Sequence, residues 1–246
     1  MNLTTIVKRD IEAWLNAYSE IIANERDLQV CLALALREKG IYDKVHLEYR
    51  IPMVLLKGKL VREGILDDNP KLNDQRFPWQ NSAYYFIDIV VEKGGEFLPI
   101  ELKYATRSID DPYLIFGEDS ARSSLSDKAA NDIIMYHYWK DVRRLEILSK
   151  LFKHVAGGIS LLVANPKVYF EEPRPQAGYR RFSTHEGNKI GAGLLGWEGK
   201  IGNHVRNNCP AFFLDGCYTC HWGEMPIKAV RNGKEEMFRY LLTDVV

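Results

Sequence analysis

The sequence predicts an α/β protein, from three observations. Helical stripes and strand-like apolar runs alternate along the chain, two of the runs are joined by a Gly-Gly turn, and a long helical pattern is followed by a short, wholly apolar run. Residues 4–22 set Ile6, Ile11, Trp14, Leu15, Tyr18 and Ile22 at helical spacing opposite Lys8, Arg9, Asp10 and Glu12, which predicts a packing helix. A second helix is framed by Asn24 as cap, Asp27 three residues on, a stripe of Leu28, Cys31, Leu32, Ala35 and Leu36, and Gly40 as stop. Residues 45–55 read as a strand, and the turn formers of 57–82 as a long connection with room for a short hairpin or helix. The run FIDIVVEKGGEFLPIELKY at 86–104 reads as two strands about Gly94-Gly95. A polar excursion at 106–126, around Asp110, Asp111 and Pro112, leads into a helix from about Asp127 to His154, ended by Gly157-Gly158. The run ISLLVAN at 159–165 suits a strand covered on both faces. Residues 172–208 look loop-dominated, and FFLDG, CYTCHW and MFRYLLTDVV supply late strands.

The chain has 246 residues, enough for one domain with a sizeable core, and no internal repeat. Its 33 basic and 33 acidic residues balance, which argues against a generic nucleic-acid coat or a polybasic membrane binder while leaving room for a local basic groove. No apolar run approaches the roughly 18 to 20 residues that span a bilayer. The amino terminus is amphipathic and charged rather than signal-like, so the expectation is a cytoplasmic protein whose cysteines are reduced.

The charges inside the hairpin call for an explanation. A two-residue turn at Gly94-Gly95 puts Lys93 opposite Glu96, Val91 opposite Leu98, Ile89 opposite Ile100, Asp88 opposite Glu101 and Ile87 opposite Leu102. The odd-numbered residues of the first strand and their partners then form an apolar face, while Asp88, Glu101 and Lys103 share the other. Two ionised carboxylates directly opposed repel, at roughly 0.2 to 1 kcal/mol or more away from water, unless a positive charge lies between them. Hard oxygen ligands on a rigid hairpin suit Mg²⁺ or Mn²⁺. Glu25 starts the helical row Leu28, Leu32 and Leu36, so it reads equally as a third carboxylate pointing toward the sheet or as a first-turn acid favoured by the helix dipole. With Lys103 the set sums to about minus two, which one divalent ion neutralises.

These residues resemble the PD-(D/E)XK phosphodiesterase superfamily: a helix bearing Glu25, then Asp88, a twelve-residue gap, and Glu101-Leu102-Lys103 on the next strand. The resemblance covers about residues 24–163, with Ile87 standing where the superfamily's name has proline. It implies a restriction-endonuclease-like core, a mixed central β-sheet flanked by helices, with a loop-rich C-terminal elaboration over about 166–246. It also implies Asp88, Glu101 and the Leu102 carbonyl as metal ligands, Lys103 as the group that positions or activates the attacking water, and Glu25 as an auxiliary acid. The implied activity is Mg²⁺- or Mn²⁺-dependent hydrolysis of phosphodiester bonds in nucleic acid, with DNA the expected substrate. A homodimer would suit symmetric cutting of a duplex. A catalytically silent nucleic-acid or protein-binding module on the same fold is the alternative.

Other motifs point to blander roles. Asp141, Arg143, Arg144 and Glu146 could orient DNA or brace the site but read first as a solvated, salt-bridged helix face, and Tyr136 to Trp139 as core and rim packing rather than a base-stacking platform. Cys217-Tyr-Thr-Cys220-His221 matches the letters of a c-type haem attachment, but strand-like residues flank it and no export signal precedes it. Zinc bound by Cys209, Cys217, Cys220 and His221 would need a bend at the adjacent Cys and His. Arg174, Arg180, Arg181, Lys189, Lys200 and Arg206 read equally as a basic lobe or as solvated loop charge.

Overall fold

The computed structural model describes the chain except residues 67–81, 111, 117, 124, 126–129, 200 and 246. Its elements are α1 (Leu3–Leu15), α2 (Glu25–Glu38), β1 (Lys44–Pro52), α3 (Met53–Arg62), β2 (Tyr84–Lys93), β3 (Glu96–Ala105), β4 (Pro112–Ile115), β5 (Glu118–Ser123), α4 (Asn131–Leu151) and β6 (Gly158–Ala164). The C-terminal part adds β7 (Lys189–Ile190), β8 (Gly193–Leu195), α5 (Asn203–Asn208), β9 (Phe212–Leu214), β10 (Tyr218–Thr219), β11 (Trp222–Glu224), β12 (Ala229–Arg231), β13 (Lys234–Glu236) and β14 (Arg239–Val245).

The centre is a six-stranded mixed sheet in the order β1-β2-β3-β6-β14-β11. Only the β3–β6 pair in it is parallel, with Leu102 beside Leu161, and α4 crosses over between those two strands. The strand pairs β4–β5, β7–β10, β8–β9 and β12–β13 are separate ribbons. On one face, α1 and α2 bury Val7, Ile11, Leu28 and Leu32 against Ile89, Ile100, Leu102 and Leu161. On the other, α3 and the end of α4 pack on Tyr85, Ile87 and Val90, while the rest of α4 packs against Leu162, Leu241 and the C-terminal lobe. The fold is therefore α/β, with a central mixed sheet between helices. Among the described residues no helix is long and apolar enough to cross a membrane.

The expected elements sit close to where the sequence places them, with informative departures. The second helix forms as framed: the Asn24 side chain accepts from the Asp27 N–H at 3.0 Å, and Asp27 accepts from the Ala23 N–H at 2.9 Å. The first helix stops at Leu15, short of residue 22, although Ile22 is still buried in the same core. The long helix begins at Asn131; its expected start at Asp127 lies outside the described residues, as do Asp111 and most of the connection 57–82, whose first part is α3. That helix ends at Leu151, so Gly157 and Gly158 are not its stop. A Cβ on Gly157 would lie 2.4 Å from the Val245 carbonyl oxygen, and one on Gly158 2.8 Å from the Leu145 side chain. The pair lets β6 enter tightly between β14 and α4. The last strand, β14, joins the central sheet, so that sheet extends beyond the expected core of 24–165.

The four charges on α4 depart most from expectation. Asp141, Arg143 and Glu146 are buried, against the solvated face predicted for them. The C-terminal lobe covers the flank of α4 that a single stripe of periodicity assigns to water. Tyr136, Tyr138 and Trp139 are core residues, as predicted.

Candidate active site

The β2–β3 hairpin has the predicted register. Gly94 and Gly95 carry φ of 59° and 80°, Lys93 pairs with Glu96, and pairing continues to Ile89–Ile100. There the two strands part. The Leu102 N–H turns to the Asp88 carboxylate, 2.7 Å from Oδ2, and the Asp88 carbonyl accepts from Gln29 Nε2 at 2.6 Å. Gln29 also donates to Glu48 at 2.9 Å, and Glu48 lies opposite this break in left-handed backbone with φ of 50°. One glutamine on α2 thus clamps a kink that runs through β1 and β2.

The kink corrects one expectation. Ile87 was expected on the apolar face of Ile89 and Leu102, but it packs with Tyr85, α3 and α4, while Ile89 and Leu102 face α1 and α2. The strict alternation behind the expectation requires an unbroken pleat, and β2 loses its pleat at Asp88.

The fork between the strands gathers the charged side chains. Glu101 is buried and accepts a hydrogen bond from the Tyr85 hydroxyl. Lys103 donates to the Leu102 carbonyl at 2.8 Å and reaches Asp141 of α4 at 2.6 Å. Asp141 also holds Arg144 at 2.7 Å, and the Arg144 guanidinium lies 5.3 Å from the centre of the Tyr85 ring. Glu25, at the start of α2, accepts the Tyr104 N–H at 3.0 Å and is near enough to act on both Asp88 and Lys103. The structure therefore brings together Glu25, Asp88, Glu101 and Lys103, with the Leu102 carbonyl among them. It adds Tyr85, Gln29, Asp141 and Arg144.

The electrostatics show an excess of negative charge. Burial pushes Asp88 up to about 6, with Asp141 and Glu25 adding to the rise against Lys103 and the Leu102 N–H. Burial likewise pushes Glu101 well above the carboxylate range, and Asp141 and Asp88 push the same way. Burial alone would lower Lys103, but Asp141, Glu25, Glu101 and Asp88 together raise it, so its ammonium stays charged. Asp141 is held below its ordinary value despite burial, because Lys103 and Arg144 flank it. His137, one turn earlier on α4, is driven down to about 4 by burial and is a neutral imidazole at pH 7.

The donor types present, two carboxyl groups and a backbone carbonyl, are the oxygen donors that a hard divalent cation takes. Burial, with the neighbouring carboxylates adding to it, keeps the pKa values of both carboxyl groups raised, and the Lys103 ammonium already sits on the Leu102 carbonyl. Among the described residues no three His, Cys, Asp or Glu side chains form a group able to hold a metal by themselves. Two carboxylates and a carbonyl, completed by water or phosphate oxygens, would still suit Mg²⁺ or Mn²⁺.

The cysteine motif forms no such cluster. Cys209 and Cys220 are buried, Cys217 is exposed, and His221 pairs with Glu186 at 3.1 Å, so the four candidate zinc ligands do not meet. In the basic segment, Arg181 donates to the Leu194 carbonyl at 2.9 Å and Arg180 lies 3.9 Å from Glu172. Lys200 and the Arg206 side chain lie outside the described residues. Asp141 and Arg144 were legible as charges three apart on a helix, and Gln29 as the residue one turn after Glu25; nothing local marks Tyr85. No family model, curated protein or solved structure matches this chain.

Proposed function

We propose that the chain has a restriction-endonuclease-like core and is a Mg²⁺- or Mn²⁺-dependent phosphodiesterase of the PD-(D/E)XK kind, a nuclease whose substrate is nucleic acid, with DNA our choice. One observation carries this reading. Where β2 and β3 part, two carboxyl groups of raised pKa lie close to a half-buried ammonium, and each is held by a second group: Asp88 by the Leu102 N–H, Glu101 by Tyr85, Lys103 by Asp141.

Asp88, Glu101 and the Leu102 carbonyl are the groups that would hold a divalent ion, which when bound would supply an activated water and charge on the phosphoryl oxygen. Lys103 keeps its proton and offsets negative charge that develops on the phosphate. Asp141, fixed by Arg144, sets where that ammonium points. The Tyr85 hydroxyl fixes Glu101, and Gln29 holds Asp88 at the mouth of the fork. Glu25 adds negative charge on the α2 side.

A silent binding module is the second reading, and the Lys103 ammonium favours it by already sitting on the Leu102 carbonyl, where a ligating ion would compete. Cleavage separates the two. Lys103→Ala should lose at least about 10²-fold in Mn²⁺-dependent hydrolysis of DNA while keeping the wild-type circular dichroism spectrum. Undiminished hydrolysis by that variant would remove Lys103 from the mechanism.

A further inference from the structure

A second concavity lies on the α3–α4 side of the sheet, apart from the charged fork. It has a volume of about 550 Å³, within the range of small-molecule sites. Its walls are mainly aliphatic, with Ile51, Leu55, Ile87, Val90, Leu148 and Phe152 among them. Among the described residues, the charged and imidazole side chains lining it are Arg50, Lys59, Arg62, Lys153 and His154, with no Asp or Glu. In a chain with equal numbers of acids and bases, that one-signed lining is a local departure.

The cations come from three places in the fold, with Arg50 on β1. Lys59 and Arg62 are on the last turns of α3, and Lys153 and His154 directly follow α4. Lys59 is held in place by the Leu151 carbonyl at 3.4 Å and by the Phe152 ring, 4.8 Å from its centre. Leu55 stands at the opening, 61% exposed. Among the described lining residues there is no Asn, Gln, Ser or Thr, and the Tyr49 hydroxyl is the polar side-chain group beside the basic ones. An apolar body with one anionic end matches both halves of the lining: methylenes displace water from the aliphatic walls, and the head meets the Arg and Lys side chains.

We propose that this cavity binds a single anionic amphiphile, an alkyl or acyl chain ending in carboxylate or phosphate. The proposal is independent of hydrolysis at the fork. It is tested by isothermal titration of the wild-type chain with decanoate, decyl phosphate, decan-1-ol, inorganic phosphate and a single-stranded oligonucleotide, all below the onset of micelles. Decanoate and decyl phosphate should bind saturably with one site, at least tenfold more tightly than decan-1-ol, and inorganic phosphate should not saturate. Leu55→Glu, at an exposed position, should weaken both anions at least tenfold, whereas Leu55→Met should bind like wild type. Arg62→Ala combined with Lys153→Ala should weaken the anions and leave decan-1-ol unchanged. The proposal is overturned by equal affinity for decanoate and decan-1-ol, by absence of saturable binding, by a Leu55→Glu variant that binds like wild type, or by an oligonucleotide that displaces decanoate from the cavity.

Discussion

Two buried ionic clusters lean on the same helix, and they are balanced in opposite ways. On one flank of α4, Glu146 accepts the Asp215 and Gly216 N–H groups at 2.9 and 2.7 Å, the Tyr218 hydroxyl at 2.8 Å and Arg143 at 3.1 Å. Arg143 and Lys150 in turn hold Asp215 below its ordinary value, against burial. The charges there balance, although the buried Arg143 Nε has no hydrogen-bond partner, and the cluster ties the C-terminal lobe to α4. On the other flank, Asp88, Glu101, Asp141 and Glu25 share Lys103 and Arg144, and two of the carboxyl groups are pushed upward. On the function proposed above, the balanced cluster stabilises the fold, and the one that keeps an excess of carboxylates is the one that would receive a further cation.

The largest expected effect tests the closed cluster. Glu146→Ala should cost about 3 kcal/mol in denaturant unfolding, because it removes one of the two carboxylate partners of the buried Arg143 and the acceptor of the Asp215 and Gly216 N–H groups and of the Tyr218 hydroxyl. It should leave Mn²⁺ affinity at the wild-type value. A loss below about 1 kcal/mol would mean that the cluster does not bind the lobe to α4.

A smaller effect, on the order of 2 kcal/mol, is expected from pH at the open cluster. The Asp88 carboxyl is raised to about 6, so the folded chain holds a proton there that the unfolded chain has released. The resulting stability is fully present below about pH 4 and is lost as pH rises through 6. Stability measured from pH 4 to pH 8 should therefore fall more steeply with rising pH in wild type than in Asp88→Asn. Identical slopes would remove the imbalance on which the comparison depends. The smallest effect belongs to the rim: Lys150→Ala breaks a pair with Asp215 whose side chains are 57% and 38% exposed, and should cost under about 1 kcal/mol. A loss above 2 kcal/mol would show that the rim carries load assigned to Arg143.

The difference between the clusters also marks what a sequence can reveal. The hairpin was legible because turn chemistry is local: two glycines at positive φ set the register as far as Ile89–Ile100, one residue short of the expected Asp88–Glu101 pair. The fork itself was not legible. It depends on Gln29, Glu48 and Asp88 meeting from three elements, and no residue type compels Glu48 into left-handed backbone. The burial of Asp141, Arg143 and Glu146 was hidden because α4 is covered on both flanks, one of them by residues such as Phe182, Phe212 and Tyr218 that lie far along the chain. Periodicity sees one stripe and assigns the rest to solvent. The letters Cys217, Cys220 and His221 made a strong pattern that the backbone scatters, which shows that spacing has chemical meaning only once geometry brings the side chains together.

Calorimetric titration of Mn²⁺ into wild type and Asp88→Asn tests the central claim without requiring a substrate. The account predicts one saturable site in wild type that disappears in Asp88→Asn, and an unchanged site in Glu146→Gln, whose cluster is already neutral. Equal binding by wild type and Asp88→Asn, or no binding by either, would contradict the claim that the fork between β2 and β3 is built for a divalent cation.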